Sequence, residues 1–120
     1  MDEILITKIV QTSTGVVLIP NRQIPQANLS NLGNYKLRLA CGLKATNVLP
    51  IYIQTSAGNL PVLCKYGNLV YSNQIKTRKY YNIGYGNGNT SYANGQFIIF
   101  DCICRGTIVI NSNETAAKGK

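Results

Sequence analysis

Cys41, Cys64, Cys102 and Cys104 are the chain's only thiols, and no histidine accompanies them. Zinc sites combine Cys with His or further Cys at short spacings such as C-x-x-C, and no such spacing occurs here. The lack of imidazole also removes the commonest general base and the usual partner of a Ser or Cys nucleophile. Carboxylates are equally scarce: Asp2, Glu3, Asp101 and Glu114 are the full set. Two sit at the start and one near the end, so no pair is set up for glycoside hydrolysis or metal-ion chemistry. These residues predict a protein that is not an enzyme and holds no cofactor or metal. The cysteines are expected to be buried, reduced thiols. Cys102 and Cys104 fall on one side of a single strand, where neighbouring side chains do not meet disulfide geometry. Asp101, set in the most apolar stretch, is expected to face water at a strand end or to find a partner within its own fold, rather than to anchor a Lys or Arg from another subunit.

Binding chemistry is better represented. Twelve Lys and Arg against four Asp and Glu leave a net charge of +8, which favours an acidic partner. Part of that charge clusters with aromatic rings: Lys65, Lys76, Arg78 and Lys79 lie close in sequence to Tyr66, Tyr71, Tyr80, Tyr81 and Tyr85. Single-stranded nucleic-acid binders use such a mixture as stacking platforms beside phosphate contacts. Tyrosine is equally suited to protein interfaces and half-buried strands, where the ring packs and the hydroxyl stays satisfied. Protein contact is the favoured reading, and these nine residues form the candidate interface. The run Gly86-Asn87-Gly88-Asn89 resembles a phosphate cradle only superficially, because neither a Lys-Ser pair nor a helix follows it. Gly-Asn pairs supply the positive φ of hairpin turns, and a turn is what it predicts.

The elements that must position this cluster read as short strands. Fourteen Asn and eleven Gly in 120 residues imply many tight turns. Glu3 to Val10 and Gly15 to Ile19 read as a hairpin about Thr12-Ser13-Thr14. Lys36 to Lys44 alternates, with Leu37, Leu39, Cys41 and Leu43 on the inner side. Ile51 to Gln54 and Leu60 to Tyr66 make a second hairpin about Ser56 to Asn59. Leu69 to Tyr71 and Lys79 to Ile83 follow. Phe97 to Arg105 is apolar on both faces, as expected of a strand covered on both sides, and Thr107 to Ile110 reads as a last strand. No long segment carries a capped helical period, so helix is limited to a turn between Gln23 and Leu32.

The predicted fold is a single all-β domain over residues 1–110, a small antiparallel β-sandwich or barrel of short strands. A long loop occupies residues 20–34, and residues 111–120 form a flexible tail. The acidic start of the chain gives no export signal, and no window is apolar enough for a membrane helix, so folding in a cytoplasm and no membrane contact are expected.

The Gly-Asn turns, the "KYGNLVY" of Lys65 to Tyr71 and the "ANGQFIIFDC" of Ala93 to Cys102 give the chain a resemblance. It is similar to small virion proteins of tailed bacteriophages, above all the auxiliary or decoration proteins of capsid shells. That resemblance implies a structural module docked in many copies on a capsid or other virion protein, with localisation in the virion and room for self-association. Two other classes stay open: a β-barrel that binds single-stranded nucleic acid, and a carbohydrate-binding or adhesive surface domain.

Overall fold

The computed structural model describes residues 3–25, 34–43, 47–86 and 95–101. These contain seven strands and no helix: β1 (Glu3–Gln11), β2 (Val16–Pro20), β3 (Asn34–Leu39), β4 (Ile51–Thr55), β5 (Gly58–Cys64), β6 (Tyr80–Gly86) and β7 (Gln96–Ile99). They close into a barrel in the order β1-β2-β4-β5-β7-β6-β3.

Both predicted hairpins form. β1 pairs antiparallel with β2 through a bulge near Ile6, and β4 pairs antiparallel with β5. The Thr12 hydroxyl ties off the first turn, accepting from the Gly15 N–H (3.1 Å) and donating to the Gly15 carbonyl (3.0 Å). In the second turn Thr55 donates to the Gly58 carbonyl (3.0 Å), and Gly58 takes the positive φ of 108° that a side chain would resist.

The expectation of an antiparallel sheet is corrected. β1 with β3, β2 with β4, and β5 with β7 are parallel pairs. Parallel neighbours need a crossover of about a dozen residues or more, and each connection here runs through an intervening strand: residues 12–33 join β1 to β3, 21–50 join β2 to β4, and 65–95 join β5 to β7. Odd-numbered strands therefore all run one way and even-numbered strands the other. We call the end where β1, β3, β5 and β7 finish the closed end.

Alternation sends one side chain in two to the centre. Ile4, Ile6, Val16, Leu18, Leu37, Leu39, Ile51, Ile53, Val62, Ile83, Phe97 and Ile99 form the core, with Tyr85 edge-on to Phe97 at 5.8 Å. β3 stops at Leu39, short of the expected Lys44, after Ala40 N–H bonds the Ile6 carbonyl. Cys41 and Leu43 still pack on the core, but from irregular chain. In β7 the expected cover on both faces is incomplete: Phe97 and Ile99 are buried, Ile98 is half-buried and Phe100 is exposed. The continuation of that segment past Asp101, the Thr107 to Ile110 strand, the loop at 87–89, most of the 20–34 loop and the 111–120 tail lie outside the described residues.

Segment 65–79 seals the closed end. Its residues Leu69 and Tyr71 make single β-bridges to Leu63 and Pro50 in place of the expected strand. Val70 N–H donates to the Val62 carbonyl and Ile51 N–H to the Val70 carbonyl, so this segment wedges between the ends of β4 and β5. Val70 and Ile75 drop into the core as a plug.

The reduced-thiol expectation is overturned at one position: Cys64 is disulfide-bonded, while Cys41 is a free thiol. Cys102 and Cys104 lie outside the described residues. Alternation along one strand bears only on pairing between sequence neighbours. The barrel's register instead sets Cys64, at the end of β5, level with Ile99 of β7, and it is such cross-strand proximity that brings distant thiols within bonding range.

Two outcomes follow from this packing. Ile75→Ala should lower unfolding free energy by about 2–5 kcal/mol in urea titration, since it empties the plug of a closed core. Denatured but unreduced protein should titrate with fewer than four thiols, and reduction should lower the urea midpoint, a native disulfide being worth about 2–5 kcal/mol.

Candidate functional site

The nine residues of the predicted interface all belong to the closed end or to β6, yet two of them face inward. Tyr81 is 1% exposed and Tyr85 is 3% exposed. Both occupy inward positions of β6, between the outward Tyr80 and Asn82 and beyond them. These two rings are core residues and present nothing to a partner. Sequence proximity to lysines could not separate them from Tyr80, because neighbouring strand positions take opposite faces.

Tyr81 does support the interface from beneath. Its hydroxyl accepts the Lys76 backbone N–H at 2.7 Å, pinning the basic segment to the barrel. Lys79 Nζ lies 5.5 Å from the centre of the same ring. Burial raises the Tyr81 phenol above its ordinary value of 10.0, the Lys76 hydrogen bond lowers it, and the Asp101 carboxylate adds a further rise. Asp101 itself accepts from the Asn82 backbone N–H at 2.6 Å. Its partner thus comes from the adjacent strand of its own fold.

The other seven residues are exposed: Lys65, Tyr66, Tyr71, Lys76, Arg78, Lys79 and Tyr80. Tyr66 and Tyr80 keep about half their surface in solvent, at 55% and 53%. The tight turn at the tip of β5 carries Lys65 and Tyr66, with Gly67 at φ 88° allowing the reversal. Lys65 Nζ stands 5.6 Å from the Tyr66 ring centre. Farther along, Gln74 accepts the Tyr71 N–H at 2.7 Å and Ser72 bonds back to Asn47 and Leu49, which fixes the path of the segment.

Arg78 sits where the segment turns into β6. Its φ of 67° is the only positive value on a non-glycine residue among the described residues. That region costs an L-residue with a long side chain about 1–2 kcal/mol, and strain of this kind concentrates at functional positions. The Arg78 N–H bonds the Leu39 carbonyl at 3.1 Å, so the turn is held from β3.

Arg38 extends the patch along the wall and was missed from sequence. β3 and β6 place it directly across from Tyr80, with its guanidinium 5.4 Å from that ring's centre. Its Nε is buried without a hydrogen-bond acceptor. An outward position in the alternation of β3 was the available signal. Its value depended on pairing with β6, which sequence alone did not supply. Lys36, two residues earlier on the same outer face, is also exposed.

No protein-family model matches the chain, and comparison with curated proteins and with solved structures found no match either.

Because the Tyr81 phenol is raised in the folded state, its contribution to stability is complete below pH 10.0 and is lost as pH rises through the higher folded value. Urea midpoints measured across pH 9–12 should therefore fall on the alkaline side, and Tyr81→Phe should flatten that fall while lowering stability at neutral pH by about 1 kcal/mol through loss of the Lys76 bond.

Proposed function

We propose that this chain is a non-enzymatic docking module that binds an acidic protein surface through the closed end of its barrel, in the manner of a small auxiliary protein on a virion shell. The observation that carries the reading is the set of seven exposed basic and tyrosine residues on segment 65–80, with Arg78 among them held in a strained backbone conformation. Cations fix an approach to carboxylates, and exposed tyrosine rings supply desolvated contact area, the combination found at protein hot spots. Repetition of the partner on a lattice would convert modest single contacts into firm attachment.

The nucleic-acid alternative is less well served by this geometry. Barrels that bind single strands stack bases on aromatic rings spread over a strand face. Here Tyr81 and Tyr85 point inward, and Tyr80, the one exposed tyrosine on a described strand of the patch, has Arg38 against its ring. Tyr66 and Tyr71 stand on the connecting segment and line no strand.

The reading is tested by sequencing the genes beside this one, co-expressing the chain with any capsid-type protein they encode, and recovering assembled particles. The wild-type chain should remain with the particles at high salt, and the double change Arg78→Glu and Lys79→Glu should release it. Arg78→Gly should weaken retention while leaving stability within about 1 kcal/mol, because glycine accepts the positive φ without strain. No retention on particles, together with oligonucleotide binding that weakens steeply as salt rises, would overturn the proposal in favour of nucleic acid.

A further inference from the structure

A second part of the barrel wall carries different chemistry. Register aligns Val10 of β1 with Val17 of β2, Val17 with Tyr52 of β4, and Tyr52 with Pro61 of β5. These are outward positions, so an apolar row crosses four strands on the outside of the barrel. Upon it lies an open depression of about 320 Å³, lined by Thr12, Thr14, Gly15, Val17, Tyr52 and Asn59. That volume falls at the small end of ligand clefts, which run from about 300 to 1,000 Å³.

Its walls are uncharged throughout. Val17 gives an apolar floor and Tyr52 an aromatic side, while Thr14 and Asn59 bring a hydroxyl and a carboxamide to the rim. The Thr12 hydroxyl is spent on its own turn. The Thr14 hydroxyl, the Tyr52 hydroxyl and the Asn59 carboxamide make no hydrogen bond to another described residue. Gly15 is required for the shape: a Cβ there would stand 2.6 Å from the Tyr52 ring. Lacking one, the β1–β2 turn lets the ring lie against the backbone and form one side of the depression.

We infer that this depression binds a neutral monosaccharide unit, the ring of Tyr52 and Val17 receiving the sugar's apolar C–H face and the Thr14 and Asn59 groups its hydroxyls. A charged ligand would find no counter-charge here, and a wholly apolar one would leave the rim groups desolvated and unpaired. A neutral sugar matches both sides, having an apolar face and a ring of hydroxyls that donate and accept. The site uses the β1–β2 turn with β2, β4 and β5, whereas the basic surface uses β3, β6 and segment 65–79, so the two share no residue.

The test is titration of isotopically labelled full-length protein with D-glucose, D-galactose and N-acetyl-D-glucosamine, followed by NMR. At least one sugar should give saturable shifts at Thr14, Gly15, Tyr52 and Asn59 at millimolar concentration. Asn59→Ala, an exposed change, should weaken that binding about fivefold. Gly15→Ala should weaken it at least tenfold by displacing the ring. Arg78→Gly should leave it unchanged, which keeps this result separate from that of the docking surface. Lack of saturable shifts with all three sugars, or wild-type affinity in Asn59→Ala, would overturn the assignment.

Discussion

Closure of the sheet governs everything else in this molecule. Each of the seven strands has a strand on either side, so backbone hydrogen bonding is consumed around the ring and about half of the strand side chains are committed to filling its centre. What remains for recognition is the outer set of alternate positions and the segments that cap the ends. Both surfaces described above obey that division. The basic patch is built from an end-capping segment and two outward strand positions, and the neutral depression from outward positions and a hairpin turn. The two buried tyrosines of β6 show the same rule from inside: their parity, not their chemistry, removes them from the surface.

The plug in the closed end links stability to recognition. Val70 and Ile75 are core residues of the same segment whose side chains Lys65, Tyr66, Tyr71, Lys76, Arg78 and Lys79 face solvent. The surface is thereby held on a packed base, with the Tyr81 hydroxyl and the Leu39 carbonyl as further ties. Preorganisation of this kind lowers the ordering cost of binding.

Much of this was legible in the sequence where the information was local. The hairpins at Thr12 to Gly15 and Ser56 to Gly58 follow from turn residues between apolar alternations, and Leu37 and Leu39 declare an inner face by parity. What was not legible depended on which strands become neighbours. The parallel pairs, the contact of Arg38 with Tyr80, and the exposure of Phe100 all follow from strand order, which turn chemistry does not encode. Bonding at Cys64 belongs with them. The expectation of wholly reduced thiols therefore does not describe the folded chain at that residue.

The place of β7 in the ring has a consequence for how the barrel is made. It is the last described strand in sequence, and it lies between β5 and β6. Without residues 96–99, β5 and β6 would each keep an unpaired edge and the ring would stay open. Unpaired edges are templates for association with other chains, and pairings between distant segments form slowly. A chain ending before Gln96 would lack the strand that closes the ring, and its two open edges would favour aggregation.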